Sequence, residues 1–98
     1  MIPFIQKLAR GENLTLDESR EAMRTIMEGR ATPAQIGAYL TALSIKGPTP
    51  DEIAGAALVM REKATHIDVG DLPVVDTCGT GGTGKCAFNI STCAALVA

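Results

Sequence analysis

The sequence predicts a mostly α chain. An N-terminal helical bundle is expected over residues 1–66, then a connector over 67–73. Residues 74–98 read as the first strand, glycine loop and helix of an incomplete α/β domain. Three observations point this way. Apolar residues recur at helical spacing through residues 1–66. Three Thr-x-x-Glu/Gln boxes punctuate that region at a constant interval. From residue 67 the composition turns to Gly, Pro, Asp and β-branched residues.

Taken in order, "PFIQKLAR" predicts a short first helix with Phe4, Ile5 and Leu8 on one side and Gly11 placed to end it. Thr15-Leu-Asp-Glu18, Thr32-Pro-Ala-Gln35 and Thr49-Pro-Asp-Glu52 each read as a capping box that opens a helix. The threonine hydroxyl accepts from a free first-turn N–H, and the Glu or Gln reaches back to the cap. Pro33 and Pro50 take the first helical position, where a missing N–H costs nothing. Gly29 and Gly47 stand where helix C-caps are wanted. The expected apolar positions are Met23, Ile26 and Met27 in the second helix, Ile36, Tyr39, Leu40 and Leu43 in the third, and Ile53, Ala57 and Met60 in the fourth. The constant interval invites an internal repeat, but solenoid units usually pair two helices, so three successive helices of one bundle are preferred.

"IDVGDLP" then predicts a turn-rich connector and "PVVDT" a buried strand. The Ala-rich end of "FNISTCAALVA" predicts a last helix, capped by Ser91 or Thr92. A lone strand leaves its backbone groups without partners. The chain is therefore expected to be the N-terminal part of a larger fold, or to borrow strands from another chain.

Bulk composition narrows the function. The 98 residues are 46% apolar and carry a net charge of −2, so nucleic acid and acidic membranes are not expected partners. With only Phe4, Tyr39 and Phe88 as aromatics, the core must be built from Ala, Leu, Ile, Val and Met. Cys78, Cys86 and Cys93 include no C-x-x-C pair and match no common zinc pattern with His66; free thiols in a reducing cytoplasm account for them. The N-terminus turns to charge too early for a signal peptide, and no apolar run approaches a membrane span.

The glycine-dense stretch "VVDTCGTGGTGKCAFNIST" carries the chemistry. Glycines let the backbone approach an anion closely, and successive N–H groups ahead of a helix form a phosphate cradle. Gly79, Gly84 and Lys85 fit most of a Walker A loop, but Cys86 stands where a hard hydroxyl should meet Mg²⁺. Gly79, Gly81 and Gly84 fit the dinucleotide fingerprint, itself a weak signal. A third possibility uses Asn89, Ser91 and Thr92, an amide and two hydroxyls that together with the loop would surround a diphosphate and its Mg²⁺.

"VVDTCGTGG" followed by "FNIST", with "ALSIKGPTPDEIAGAALVMREKA" upstream, resembles the anthranilate phosphoribosyltransferase family, of the glycosyltransferase family 3 and nucleoside-phosphorylase-like fold. The resemblance implies transfer of ribose 5-phosphate from phosphoribosyl diphosphate to anthranilate in tryptophan biosynthesis, with Mg²⁺, in a cytoplasmic homodimer joined through the helical part. It implies substrate binding by Gly79, Gly82, Thr83, Asn89, Ser91 and Thr92, with Ser91 as a Mg²⁺ ligand, and no catalytic acid or base in this segment. Thr83 stands where the family usually has aspartate, and Ala87 where it has a hydroxyl residue. The family's remaining substrate loop, its acidic Mg²⁺-binding pair and most of its sheet would lie beyond residue 98, so the isolated chain is expected to be inactive. Two alternatives remain open, a helical dimerisation module with a vestigial glycine loop and a P-loop nucleotide-binding protein.

Overall fold

The computed structural model describes residues 1–79 and 90–97. The chain divides into two compact units, Met1–His66 and Ile67–Ala98. Unit 1 holds α1 (Ile2–Ala9), α2 (Leu16–Met27), α3 (Pro33–Lys46) and α4 (Pro50–Lys63); unit 2 holds α5 (Ile90–Val97). No helix among the described residues is long and apolar enough to cross a membrane.

All three capping boxes form as the sequence specifies. Thr15, Thr32 and Thr49 accept from the backbone N–H groups of Glu18, Gln35 and Glu52, and those side chains accept from the cap N–H groups in return. Gly11 ends the first helix at φ 78°, with Glu12 N–H reaching back to the Lys7 carbonyl; Gly29 does the same after α2, at φ 70°. Both are the left-handed closures that glycine takes without a Cβ penalty.

The helices pack as two pairs, α1 with α3 and α2 with α4. In the first pair Leu8 and Tyr39 are buried, joined by Leu14 and Ala22, with Phe4, Ile5, Ile26 and Leu43 against them. Contacts at both ends set α2 and α4 parallel. Near their starts a Cβ on Gly55 would meet Leu16 O at 2.5 Å. Near their ends Lys63 Nζ lies 2.9 Å from Glu28 Oε1. Lys7 Nζ, 2.7 Å from Glu18 Oε2, ties α1 to α2 and, with the capping bond from Thr15 N–H, holds the Glu18 carboxyl below its usual range.

The apolar spacing misassigns the inner face of α4. Glu52, Gly55 and Val59 are buried, whereas Ile53 and Met60 are more than half exposed. The reason is the close approach at Gly55, which turns its own side of the helix toward α2. Similarly, the inner face of α2 is Ser19, Ala22 and Thr25, and Met27 lies largely outside.

Glu52 is the polar centre of the bundle. Its Oε1 accepts from Leu14 N–H at 2.8 Å, and its Oε2 accepts from Thr49 N–H at 2.7 Å and from Lys46 Nζ at 2.9 Å. Ser19 Oγ donates to the Glu52 carbonyl at 2.6 Å. Four segments thus converge on one residue. Beside it the Tyr39 hydroxyl is buried without a well-formed hydrogen bond among the described residues; burial raises its pKa, partly offset by the nearby Ser19 hydroxyl.

In unit 2 the connector turns as expected. Gly70 adopts φ 55°, its N–H donates to Asp68 Oδ1 at 2.9 Å, and Leu72 N–H donates to the Val69 carbonyl at 3.2 Å. The strand expected in "PVVDT" is not formed; residues 72–79 lie outside any helix or ladder. A strand exists only through pairing, and no second strand is present among the described residues.

Candidate functional site: the mouth of the glycine loop

The described part of the loop is its entrance, Asp76 to Gly79, and the helix that follows, α5. Asp76 Oδ1 accepts from Cys78 N–H at 2.8 Å, an Asx turn that bends the chain as the glycines begin. Gly79 N–H then donates to Ser91 Oγ at 3.2 Å, across twelve positions of sequence. The loop entrance and the first turn of α5 are therefore stitched together by two predicted site residues.

That bond defines what Ser91 still offers. A serine hydroxyl has one O–H and two lone pairs. One lone pair is engaged by Gly79, and the hydroxyl proton and the second lone pair have no partner given among the described residues. A Cβ on Gly79 would stand 3.5 Å from Ser91 Oγ, an ordinary contact, so Ser91 alone does not demand glycine here. Thr92 follows in the same turn of α5. Gly82, Thr83 and Asn89 lie outside the described residues, as do Lys85, Cys86 and Ala87.

The capping role expected of Ser91 or Thr92 is not realised. Ile90 is already helical, so Ser91 and Thr92 lie within α5 and not at its cap. Ser91 instead accepts from the loop. The side chain that sequence reasoning missed is Asp76, whose signal was an acidic residue closing an apolar run just ahead of a glycine turn.

The donor set bears on the metal. Ser91 brings one neutral hard oxygen, which suits Mg²⁺ only as a single ligand among phosphate oxygens and water. The Cys78 and Cys93 thiols are free and exposed.

A second feature belongs to unit 1 alone. An apolar groove of about 550 Å³ runs between α1 and α3, lined among others by Ile5, Leu8, Ala38, Thr41, Ala42 and Ile45. Ile45 is 82% exposed. Gly37 also lines the groove, and a Cβ there would meet nothing within 4 Å.

Comparison with known proteins gives a consistent picture. Residues 2–64 match the helical bundle domain of the glycosyl transferase family, and residues 71–98 match its a/b domain. Similar proteins include the anthranilate phosphoribosyltransferase of Chloroflexus aurantiacus, 64% identical over 86 residues, which cover 88% of this chain and 25% of that protein. The anthranilate phosphoribosyltransferase of Petrotoga mobilis is 50% identical over 94 residues (96% of this chain, 27% of that protein). That of Teredinibacter turnerae is 55% identical over 95 residues (94% and 28%). The chain thus spans about a quarter of the length of these relatives. No solved structure matches it significantly.

Proposed function

The chain belongs to the glycosyl transferase family, and on that premise we propose that it is the phosphoribosyl-diphosphate-binding portion of an anthranilate phosphoribosyltransferase. In this reaction the anthranilate nitrogen bonds to C1 of the ribose as the C1–O bond to diphosphate breaks, and the amine gives up a proton. This chain's share is positioning and charge: backbone N–H groups and hydroxyls hold the diphosphate where negative charge accumulates on departure. The observation that carries this reading is the Gly79 N–H to Ser91 Oγ contact, which holds the Ser91 hydroxyl at the mouth of the glycine loop. Gly82, Thr83, Asn89 and Thr92 complete the proposed cradle. Mg²⁺ enters with the diphosphate, Ser91 Oγ supplying one of its oxygens. The isolated 98 residues are proposed to bind without completing transfer, and no acid or base for the amine proton is assigned to them. A cytoplasmic setting suits the exposed thiols Cys78 and Cys93.

Isothermal titration with phosphoribosyl diphosphate and Mg²⁺ tests the claim. Binding is expected, and Ser91→Ala should weaken it about tenfold or more, the scale of a hydrogen bond to a charged group. Absence of heat in the wild type, or unchanged affinity in the variant, speaks against it. Heat with ATP and Mg²⁺ instead would favour a P-loop nucleotide-binding protein.

The α1–α3 groove supports a second reading, a helical dimerisation unit closed by a second copy of the chain. Light scattering on the full chain should give a dimer, and Ala38→Glu, which places a charge at an exposed groove position, should give a monomer. A wild-type monomer at all concentrations removes this reading. A dimer blind to phosphate ligands would make the glycine loop vestigial.

A further inference from the structure

We propose that Asp76 is a positioning residue for the diphosphate site: by holding Cys78 N–H, its carboxylate aims Gly79 N–H at Ser91 and thereby orients the Ser91 hydroxyl. The proposal rests on the phosphoribosyl-diphosphate reading above for its ligand, and on two hydrogen bonds for its geometry.

The coupling is short. The Asp76 Oδ1 to Cys78 N bond, 2.8 Å, fixes the plane of the Thr77–Cys78 peptide. Peptide planes are rigid, so only the φ and ψ of Cys78 separate that plane from the Gly79 N–H. Gly79 N–H in turn lies 3.2 Å from Ser91 Oγ and occupies one of its lone pairs. With that lone pair taken, the hydroxyl proton and the second lone pair are confined to the remaining directions. Freed from Asp76, the same peptide samples other orientations, Gly79 N–H leaves Ser91, and the hydroxyl turns with no fixed preference.

Charge makes the proposal sharp. A carboxylate near a bound diphosphate repels it, so a bystander Asp76 predicts tighter diphosphate binding whenever the charge is removed. A carboxylate that ligates Mg²⁺ predicts that asparagine is as damaging as alanine. A positioning carboxylate predicts a split: Asp76→Asn keeps an oxygen that accepts from Cys78 N–H, and Asp76→Ala does not.

The test combines amide hydrogen exchange at Gly79, followed by NMR without ligand, with titration of inorganic diphosphate and Mg²⁺ into the full chain. In Asp76→Ala, Gly79 exchange should rise and diphosphate affinity fall roughly two- to tenfold, the worth of one net hydrogen bond. Asp76→Asn should keep Gly79 exchange near wild type and bind diphosphate at least as tightly as wild type, since it keeps the acceptor and loses only the repelling charge. Unchanged exchange and affinity in Asp76→Ala, or an Asp76→Asn that behaves like it, overturns the proposal. Wild-type protein that takes up no diphosphate, with Gly79 exchange still governed by Asp76, overturns the functional reading and leaves the positioning contact standing.

Discussion

Glu52→Ala should destabilise the helical unit by about 3–5 kcal/mol, the scale observed when one partner of a buried ion pair is removed. The Lys46 and Glu52 side chains are 6% and 0% exposed and 2.9 Å apart. Removing the carboxylate strands the Lys46 ammonium, which keeps only Asn13 Oδ1 and the Gly47 carbonyl, and deprives Leu14 and Thr49 of their N–H acceptor. Glu52→Gln should cost less, because the amide oxygen still accepts one N–H in the same volume. Urea melts followed by circular dichroism measure both. A loss under 1 kcal/mol for Glu52→Ala would mean that the four segments do not depend on this residue.

The same carboxylate predicts a pH dependence. Burial pushes its pKa up, but hydrogen bonds from Thr49 N–H, Leu14 N–H and Lys46 outweigh that and leave it below 4.5. A depressed folded-state pKa contributes stability that is fully present above the unfolded value. It is lost as pH falls through the folded one. Wild-type stability should therefore decline from about pH 4.5 downward, and Glu52→Gln should flatten that decline.

How much of this was legible in the sequence depends on how local each feature is. The capping boxes at Thr15, Thr32 and Thr49 are encoded within four consecutive residues, and all three form as read. The second duty of Glu52, accepting from Leu14, spans thirty-eight positions and leaves no local trace. The strand failed for the same reason, since an apolar β-branched run specifies a strand only when another strand lies beside it. In the candidate site, the family resemblance named both Gly79 and Ser91, but not that one would donate to the other. Residue type suggested a cap for Ser91; a tertiary hydrogen bond claimed its hydroxyl. Asp76 went unnoticed because a lone acidic residue ahead of a turn has many ordinary explanations.

Gly55→Ala is the sharpest test of the helix packing, because intrinsic propensity and tertiary contact predict opposite signs. In a solvated helix, alanine in place of glycine stabilises by roughly 1 kcal/mol. Here the new Cβ would lie 2.5 Å from Leu16 O, 2.9 Å from Ser19 Cβ and 3.2 Å from Arg20 N. Two of these three are backbone atoms of α2, so no rotamer change relieves the contact and α4 must move bodily away. Moving it lengthens the bond from Ser19 Oγ to the Glu52 carbonyl, already at 2.6 Å, and uncovers Val59. Overpacking of this kind costs about 1–3 kcal/mol after any propensity gain. The reverse substitution on the outer side of the same helix, Ala57→Gly, should cost about 1 kcal/mol from propensity alone. Both exchanges are therefore expected to destabilise, although a helix without neighbours would welcome the first. If Gly55→Ala instead raises the melting temperature, α2 and α4 are not in contact at this point. The burial of Glu52, which depends on that contact, would then have to be abandoned with it.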